Sequence, residues 1–321
     1  MLSVVLILST IILAFILYRA AHYLVIGIRE VSRTFTGTFF LAALATGIAT
    51  AIPEISIGIS SAITGNSMVG FANALGSNTA TLGLILPLAA LASGMVVQVR
   101  TSHFSRKTTF VMLTAALFPF LCGMDGTISR IDGLFLLFLF FVYGTYLFHK
   151  RPKDLFGFKS AIAQVRNIVF KPKLFPAWTL IIVAILILGV ASYAMVQNGL
   201  LLSEVVGVSP FLVGLFLLAP GSALPELFIA LVAIQKRQID VLYGDIFASL
   251  ITNANLVVGL IAVIAPIRVI ALPHYLMAII FMLLLYAASI FFVSSRERLD
   301  KWESMGLIGL YILFFSIETL L

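Results

Sequence analysis

Ten apolar runs divide the chain, near 2–24, 37–63, 68–97, 108–123, 133–148, 175–197, 207–234, 241–265, 270–293 and 303–320. A helix that crosses a bilayer needs about 20 apolar residues, so the pattern predicts ten transmembrane helices, five in each half. Residues 47–81 and 219–253 repeat one another at a constant offset of 172. Pro53 falls on Pro225, Glu54 on Glu226, Asn73 on Asp245 and Ser77 on Ser249. Five is an odd number of crossings, so two related halves must sit in opposite orientations. The expected fold is an all-α polytopic membrane protein, built as two inverted five-helix repeats with kinked or broken helices at its core. The N-terminal half is 1–149, with the first repeat at 37–97. A basic linker covers 150–173, and the C-terminal half is 174–321, with the second repeat at 207–265.

Composition agrees with the pattern. The chain of 321 residues is 61% hydrophobic and 10% charged, whereas soluble domains carry about 25% charged residues. No Lys or Arg precedes the run 2–17, so it reads as the first spanning helix rather than a cleaved signal. With the N-terminus outside, the inner loops hold 17 of the 20 Lys and Arg residues, and the outer loops hold only Arg130 and Arg268. That bias supports the count of ten. It places both termini outside and the central basic loop in the cytoplasm. The net charge of +7 then reflects inner loops facing anionic lipid and needs no nucleic-acid partner. Within the linker, Ser160 to Val169 reads either as an amphipathic surface helix or as plain connection. Cys122 is the single cysteine, which excludes an internal disulfide and a cysteine metal cluster. The four histidines lie near segment ends, where they are expected to be interfacial, as are Glu204 and Glu318.

A carboxylate inside a membrane span is costly and marks function by default. Glu54 and Glu226 are two such residues at matched positions. Pro53 and Pro225 lack amide hydrogens, so the carbonyls of Ala49 and Gly221 lose their helical partners and the helices should break. Freed carbonyls at that depth are tolerated where they line a cavity. Thr50 and Ser222 sit one turn before the glutamates and share their faces. Carbonyls, hydroxyls and carboxylates together make a hard-oxygen site of the kind calcium or sodium takes. On the following helices, Ser77 with Thr81 and Ser249 with Asn253 can present further oxygens. Serine and threonine carry less weight one by one, because they often bond to their own helix. Ala72, Gly76, Gly244 and Ala248 are small residues at helix-packing spacing. Asp245 reads either as an entrance carboxylate or, preferably, as a helix-start residue facing the positive end of the dipole.

These motifs resemble the calcium/cation antiporter superfamily, and prokaryotic sodium/calcium exchangers in particular. Its repeats typically read G-T-S-x-P-E, then G-N-x-x-G-S-N on the next helix. Here they read Ala49-Thr50-Ala51-Ile52-Pro53-Glu54 with Ala72-Asn73-Ala74-Leu75-Gly76-Ser77-Asn78, and Gly221-Ser222-Ala223-Leu224-Pro225-Glu226 with Gly244-Asp245-Ile246-Phe247-Ala248-Ser249-Leu250. The resemblance covers essentially the whole chain. It implies exchange of calcium against sodium or protons, with Glu54 and Glu226 as central cation ligands. It also implies that carbonyls and hydroxyls of the broken helices complete the sites, which points to Gly47, Thr50, Ala219 and Ser222. Ser77 and Ser249 would contribute to flanking sodium sites, with Thr81 and Asn253 four residues beyond them. The chain departs from the pattern at Ala51 and Ala223, where the family has serine, so the sodium sites are the least secure part of the likeness.

The resemblance implies an integral protein of a prokaryotic inner or plasma membrane. No cofactor is expected: calcium, sodium or protons are cargo, and the partners are inorganic cations and the lipid bilayer, with the oligomeric state left open. Proton coupling stands as an alternative, since a carboxyl withdrawn from water can carry a proton. A channel that conducts without exchange is another. The most distant alternative, an intramembrane aspartyl protease, would use Tyr243-Gly244-Asp245, but it needs a second aspartate within reach in the membrane, and the sequence offers none.

Overall fold

The computed structural model describes residues 2–32, 51–93, 97–98, 116–149, 175–235, 239–269, 272–296 and 298–320. Gly47, Thr50 and the linker 150–173 lie outside the described residues. The helices are α1 (Leu2–Ser32), α2 (Ile52–Ile63), α3 (Ser67–Ala80), α4 (Leu86–Ser93), α5 (Ala116–Asp125), α6 (Arg130–His149) and α7 (Phe175–Val206). They continue with α8 (Pro210–Ser222), α9 (Leu224–Gln235), α10 (Ile239–Ile251), α11 (Val258–Ile264), α12 (Leu272–Arg296) and α13 (Lys301–Glu318). Every one of the ten apolar runs therefore contains helix. Among the described residues, five helical stretches are long and apolar enough to cross a membrane, and the bent pair α8–α9 makes a sixth.

Local chemistry sets the ends. Gly207, at φ +75°, closes α7, and its amide donates to Ser203 O at 2.9 Å; a left-handed glycine is the usual way to stop a helix. Ser209 then caps α8 by accepting from the Leu212 amide, and Pro210 takes a first-turn position where its missing N–H costs nothing. Asp300 and Glu303 start α13 with a reciprocal capping box.

Burial separates two layers. The hydrophobic window of α3–α4 is 83% buried, whereas those of α1 and α7 are 33% buried. Only a helix at the centre of a bundle hides all its faces, so α3 is a core element. Helices α1 and α7 pack along each other and turn Ile11, Phe15, Ile182 and Leu186 outward, as lipid-facing surfaces require.

Two short ribbons show the inverted arrangement. Strand β1 (Val97–Gln98) pairs antiparallel with β4 (Arg298–Leu299), and β2 (Thr127–Ile128) pairs with β3 (Ile267–Arg268). The repeat offset carries β1 next to β3 and β2 next to β4, so each ribbon is the image of the other. Helix α12 runs between β3 and β4 and so sets the two ribbons at its opposite ends.

One expectation about a charged residue changes. Glu204 is exposed, as expected of an interfacial residue. Glu318 is instead 1% exposed, and its Oε2 meets His274 Nδ1 at 2.7 Å. The pairing at the α12–α13 contact explains why a carboxylate tolerates that position, since a buried charge needs a partner. Asp240 falls in the first turn of α10.

The small residues of the first copy, Ala72 and Gly76, act as expected of close crossings. A Cβ on Gly76 would stand 2.7 Å from Ala219 Cβ and against the Leu215 carbonyl, and one on Gly214 would stand 2.8 Å from both Ala72 Cβ and Val69 O. Helix α3 thus crosses the broken helix backbone to backbone. Gly76→Ala should destabilise the protein by about 1–3 kcal/mol through overpacking, read as a lower melting temperature in detergent. Gly189→Ala, at a position with open space around it, should leave the melting temperature unchanged or slightly raise it.

Candidate functional site

The two Pro-Glu segments take the same local form. Ala51, immediately before the first Pro-Glu helix, has φ −83°, ψ 5°; Ala223, at the break in the second copy, has φ −84°, ψ 12°. A fresh helical ladder starts at each alanine, with Ile55 N donating to Ala51 O at 2.9 Å and Leu227 N to Ala223 O at 3.3 Å. Around Ala223 the helix bends by 42°. The proline supplies the cause, because it removes one rung of the ladder and crowds the turn before it. Both alanines are fully buried, so neither offers a side-chain oxygen where the family pattern has a hydroxyl.

The break places each glutamate in the first turn of the helix that follows it, at the positive end of that helix. Glu54 is 0% exposed and Glu226 1%. Ser77 Oγ donates to Glu54 Oε1 at 3.2 Å, and Ser249 Oγ donates to Glu226 Oε1 at 2.9 Å. These bonds are repeat images of each other. The two carboxylates also lie within Coulombic range of one another.

Further bonds cross between the repeats. Asn253 Nδ2 donates to Ser77 Oγ at 3.2 Å, so an amide of the second repeat reaches Glu54 through a hydroxyl of the first. Ser222 Oγ donates to Asn73 Oδ1 at 3.2 Å and lies within 3.1 Å of Ala219 O, and it is also within reach of the Glu54 carboxylate. Asn78 Nδ2 donates to the Leu250 carbonyl at 3.1 Å. The site is therefore an interface between halves, not two separate pockets.

The unused atoms are as informative as the used ones. Among the described residues, Glu54 Oε2, Glu226 Oε2, Thr81 Oγ1 and Asn253 Oδ1 are buried with no hydrogen-bond partner. Leaving such atoms unmatched costs roughly 1–3 kcal/mol each, more for a charged group. Thr79, two residues from Thr81, spends its hydroxyl on Leu75 O and Gly76 O; Thr81 does not. Four oxygens from two carboxylates, a hydroxyl and an amide suit a hard cation. Thr81 begins a π-helical turn, Thr81–Ile85, and Asn253 is the second residue of its counterpart, Thr252–Val257, a distortion common at functional sites.

The structure thus brings together Glu54, Glu226, Ser77, Ser249, Asn253, Ser222 and Ala219, and it buries Thr81, Pro53 and Pro225 beside them. Gly47 and Thr50 lie outside the described residues. Asp245 does not occupy a helix start: it is the seventh residue of α10, beyond the first turn where a dipole interaction is felt, and only 9% exposed. The sequence reading assigned no role to Asn73 or Asn78, although the first aligns with Asp245 and the second ends the G-S-N triplet. Their partners lie in the other repeat, and linear spacing carries no trace of that.

Comparison with known proteins identifies the fold and the family. An Escherichia coli inner membrane protein, YrbG, is 30% identical over 221 residues, which are 68% of this chain and 67% of that protein. The sodium/calcium exchanger MaX1 of Methanosarcina acetivorans is 22% identical over 316 residues, 87% of this chain and 88% of its own. Among solved structures, the sodium-calcium exchanger NCX_Mj, soaked with sodium and strontium, superposes with a TM-score of 0.64 at 21% identity, covering 98% of this chain and 99% of that one. The family described as sodium/calcium exchanger protein matches residues 3–149 and 176–320, nearly the full length and on either side of the central linker. Its members are transporters, which removes the protease alternative, and this chain belongs to the sodium/calcium exchanger family.

Proposed function

We propose that the chain is a calcium/cation antiporter that exchanges calcium for sodium by alternating access, with Glu54 and Glu226 as the shared cation ligands. One observation carries the assignment of the site: each glutamate has one oxygen held by a repeat-related serine and the other buried without a partner. A pair of ionised carboxylates offers two negative charges, which one calcium ion or two sodium ions compensate. Thr81 Oγ1 and Asn253 Oδ1 supply neutral oxygens, and Ser222 faces the same region from its broken helix. Crossing between inward- and outward-facing states with the charges uncompensated carries a heavy desolvation cost. Exchange is thereby favoured over leak.

A second reading has its own support. Ala51 and Ala223 remove two hydroxyls that sodium would use, and protons need no such ligands. Protons would then take the place of sodium on the carboxyls. Calcium-45 uptake into proteoliposomes under a sodium gradient, and then under a proton gradient alone, separates the two. Uptake that needs neither gradient would overturn the exchange reading and leave a channel. The orientation that fits the charge bias keeps the linker 150–173 in the cytoplasm and both termini outside, in a plasma or inner membrane.

Glu54→Gln and Glu226→Gln should each reduce calcium exchange by roughly 100-fold or more, as loss of one buried charge from a compensated set implies, while the purified proteins remain monodisperse. Ala223→Ser should restore one hydroxyl at the break and lower the half-activating sodium concentration by about threefold, the scale of one added hydrogen-bonding group. An unchanged sodium dependence, with proton-driven uptake intact, would favour the proton reading.

A further inference from the structure

The repeat is not symmetric in charge. Asn73 and Asp245 occupy equivalent positions, yet one is an amide and the other a carboxylic acid. Asp245 lies one turn before Ser249 on α10, on the same helix face, and Ser249 holds Glu226 Oε1. Asp245 is 9% exposed and within Coulombic range of Glu226. Among the described residues, no three carboxylates gather closely enough to share one metal ion. Asp245 therefore adds charge beside the Glu54–Glu226 pair rather than within it. Helix rise places it about 6 Å from the level of Ser249, towards the 236–238 connection where α10 begins. The Glu226 Oε2 atom is buried and has no hydrogen-bond partner among the described residues.

Asn73 occupies the mirror position on α3, one turn before Ser77. Its side chain is engaged by Ser222 of the other repeat. Inversion of the repeats turns Asn73 towards the opposite membrane face. The two approaches to the central site thus differ by one negative charge.

We propose that Asp245 and Glu226 form a staging position for a cation, on the 236–238 side of the central pair only. Calcium or sodium entering or leaving by that face pauses there, and no equivalent position exists on the Asn73 side. This rests on the Glu54–Glu226 site described above, and deepens it by making the two faces unequal in apparent affinity.

The test is calcium flux measured separately from each face, in right-side-out and inverted vesicles, with Glu226→Gln as the loss-of-site control. Asp245→Asn keeps the shape of the side chain. It should raise the half-saturating calcium concentration about tenfold from the 236–238 face, on the scale expected for removal of one nearby charge, and leave the other face unchanged. Asp245→Glu should keep the wild-type value within about twofold. The double variant Asn73→Asp with Asp245→Asn should transfer the higher apparent affinity to the opposite face. No change from either face with Asp245→Asn, or an equal change from both, overturns the staging position. Failure of the exchange reading has a different signature, uptake that ignores the counter-cation, and the sided measurement holds for that flux as well.

Discussion

Everything in this molecule answers to the cost of holding two carboxylates away from water. Glu54 and Glu226 sit at the middle of a bundle with no solvent-facing surface. A buried ion must be matched by opposite charge and by hydrogen bonds. The protein supplies only part of that match. One serine donates to each carboxylate, each glutamate lies at the positive end of a helix, and no lysine or arginine makes a described ion pair with either. In the exchange we propose, mobile cations supply the remaining compensation. A site of this kind is stable when loaded and costly when empty, and that difference ties movement of the protein to occupancy.

The scaffold meets this demand by using one local solution twice. Ala51 and Ala223 precede their Pro-Glu helices with nearly identical backbone angles, and glycines let α3 run against the broken helix without side chains between. The ribbons β1·β4 and β2·β3 tie the halves together at opposite ends of α12. Because each half is the inverted image of the other, the same set of contacts serves either face. The departures from that symmetry, Asp245 against Asn73 and Asn253 against Thr81, are then the places where the two faces differ chemically.

Much of this was legible in the sequence, and the reasons are physical. Apolar length fixed the positions of the helices, because a bilayer imposes that length. The Pro-Glu pair at constant offset exposed the site, because a charge in a span is rare without a role. Helix periodicity aligned Ser77 and Ser249 with the glutamates. The interface bonds were not legible: Ser222 reaches Asn73, and Asn78 reaches Leu250, across the repeat boundary, and no local pattern records a partner so distant in the chain. Glu318 looked interfacial from its place near a segment end, but His274 from the neighbouring helix lets it be buried. Asp245 looked like a helix start because the run begins nearby, whereas α10 begins six residues earlier.

The wide turns that follow the site have a consequence of their own. Thr81–Ile85 and Thr252–Val257 each insert extra backbone into an otherwise α-helical rod. A π turn can relax to α geometry by passing its surplus residue along the helix, and each residue passed rotates one end against the other by about 100°. Thr81 and Asn253 stand where those rotations begin. Both helices therefore carry a built-in swivel, through which the oxygens at Thr81 and Asn253 can be re-aimed without unwinding either span.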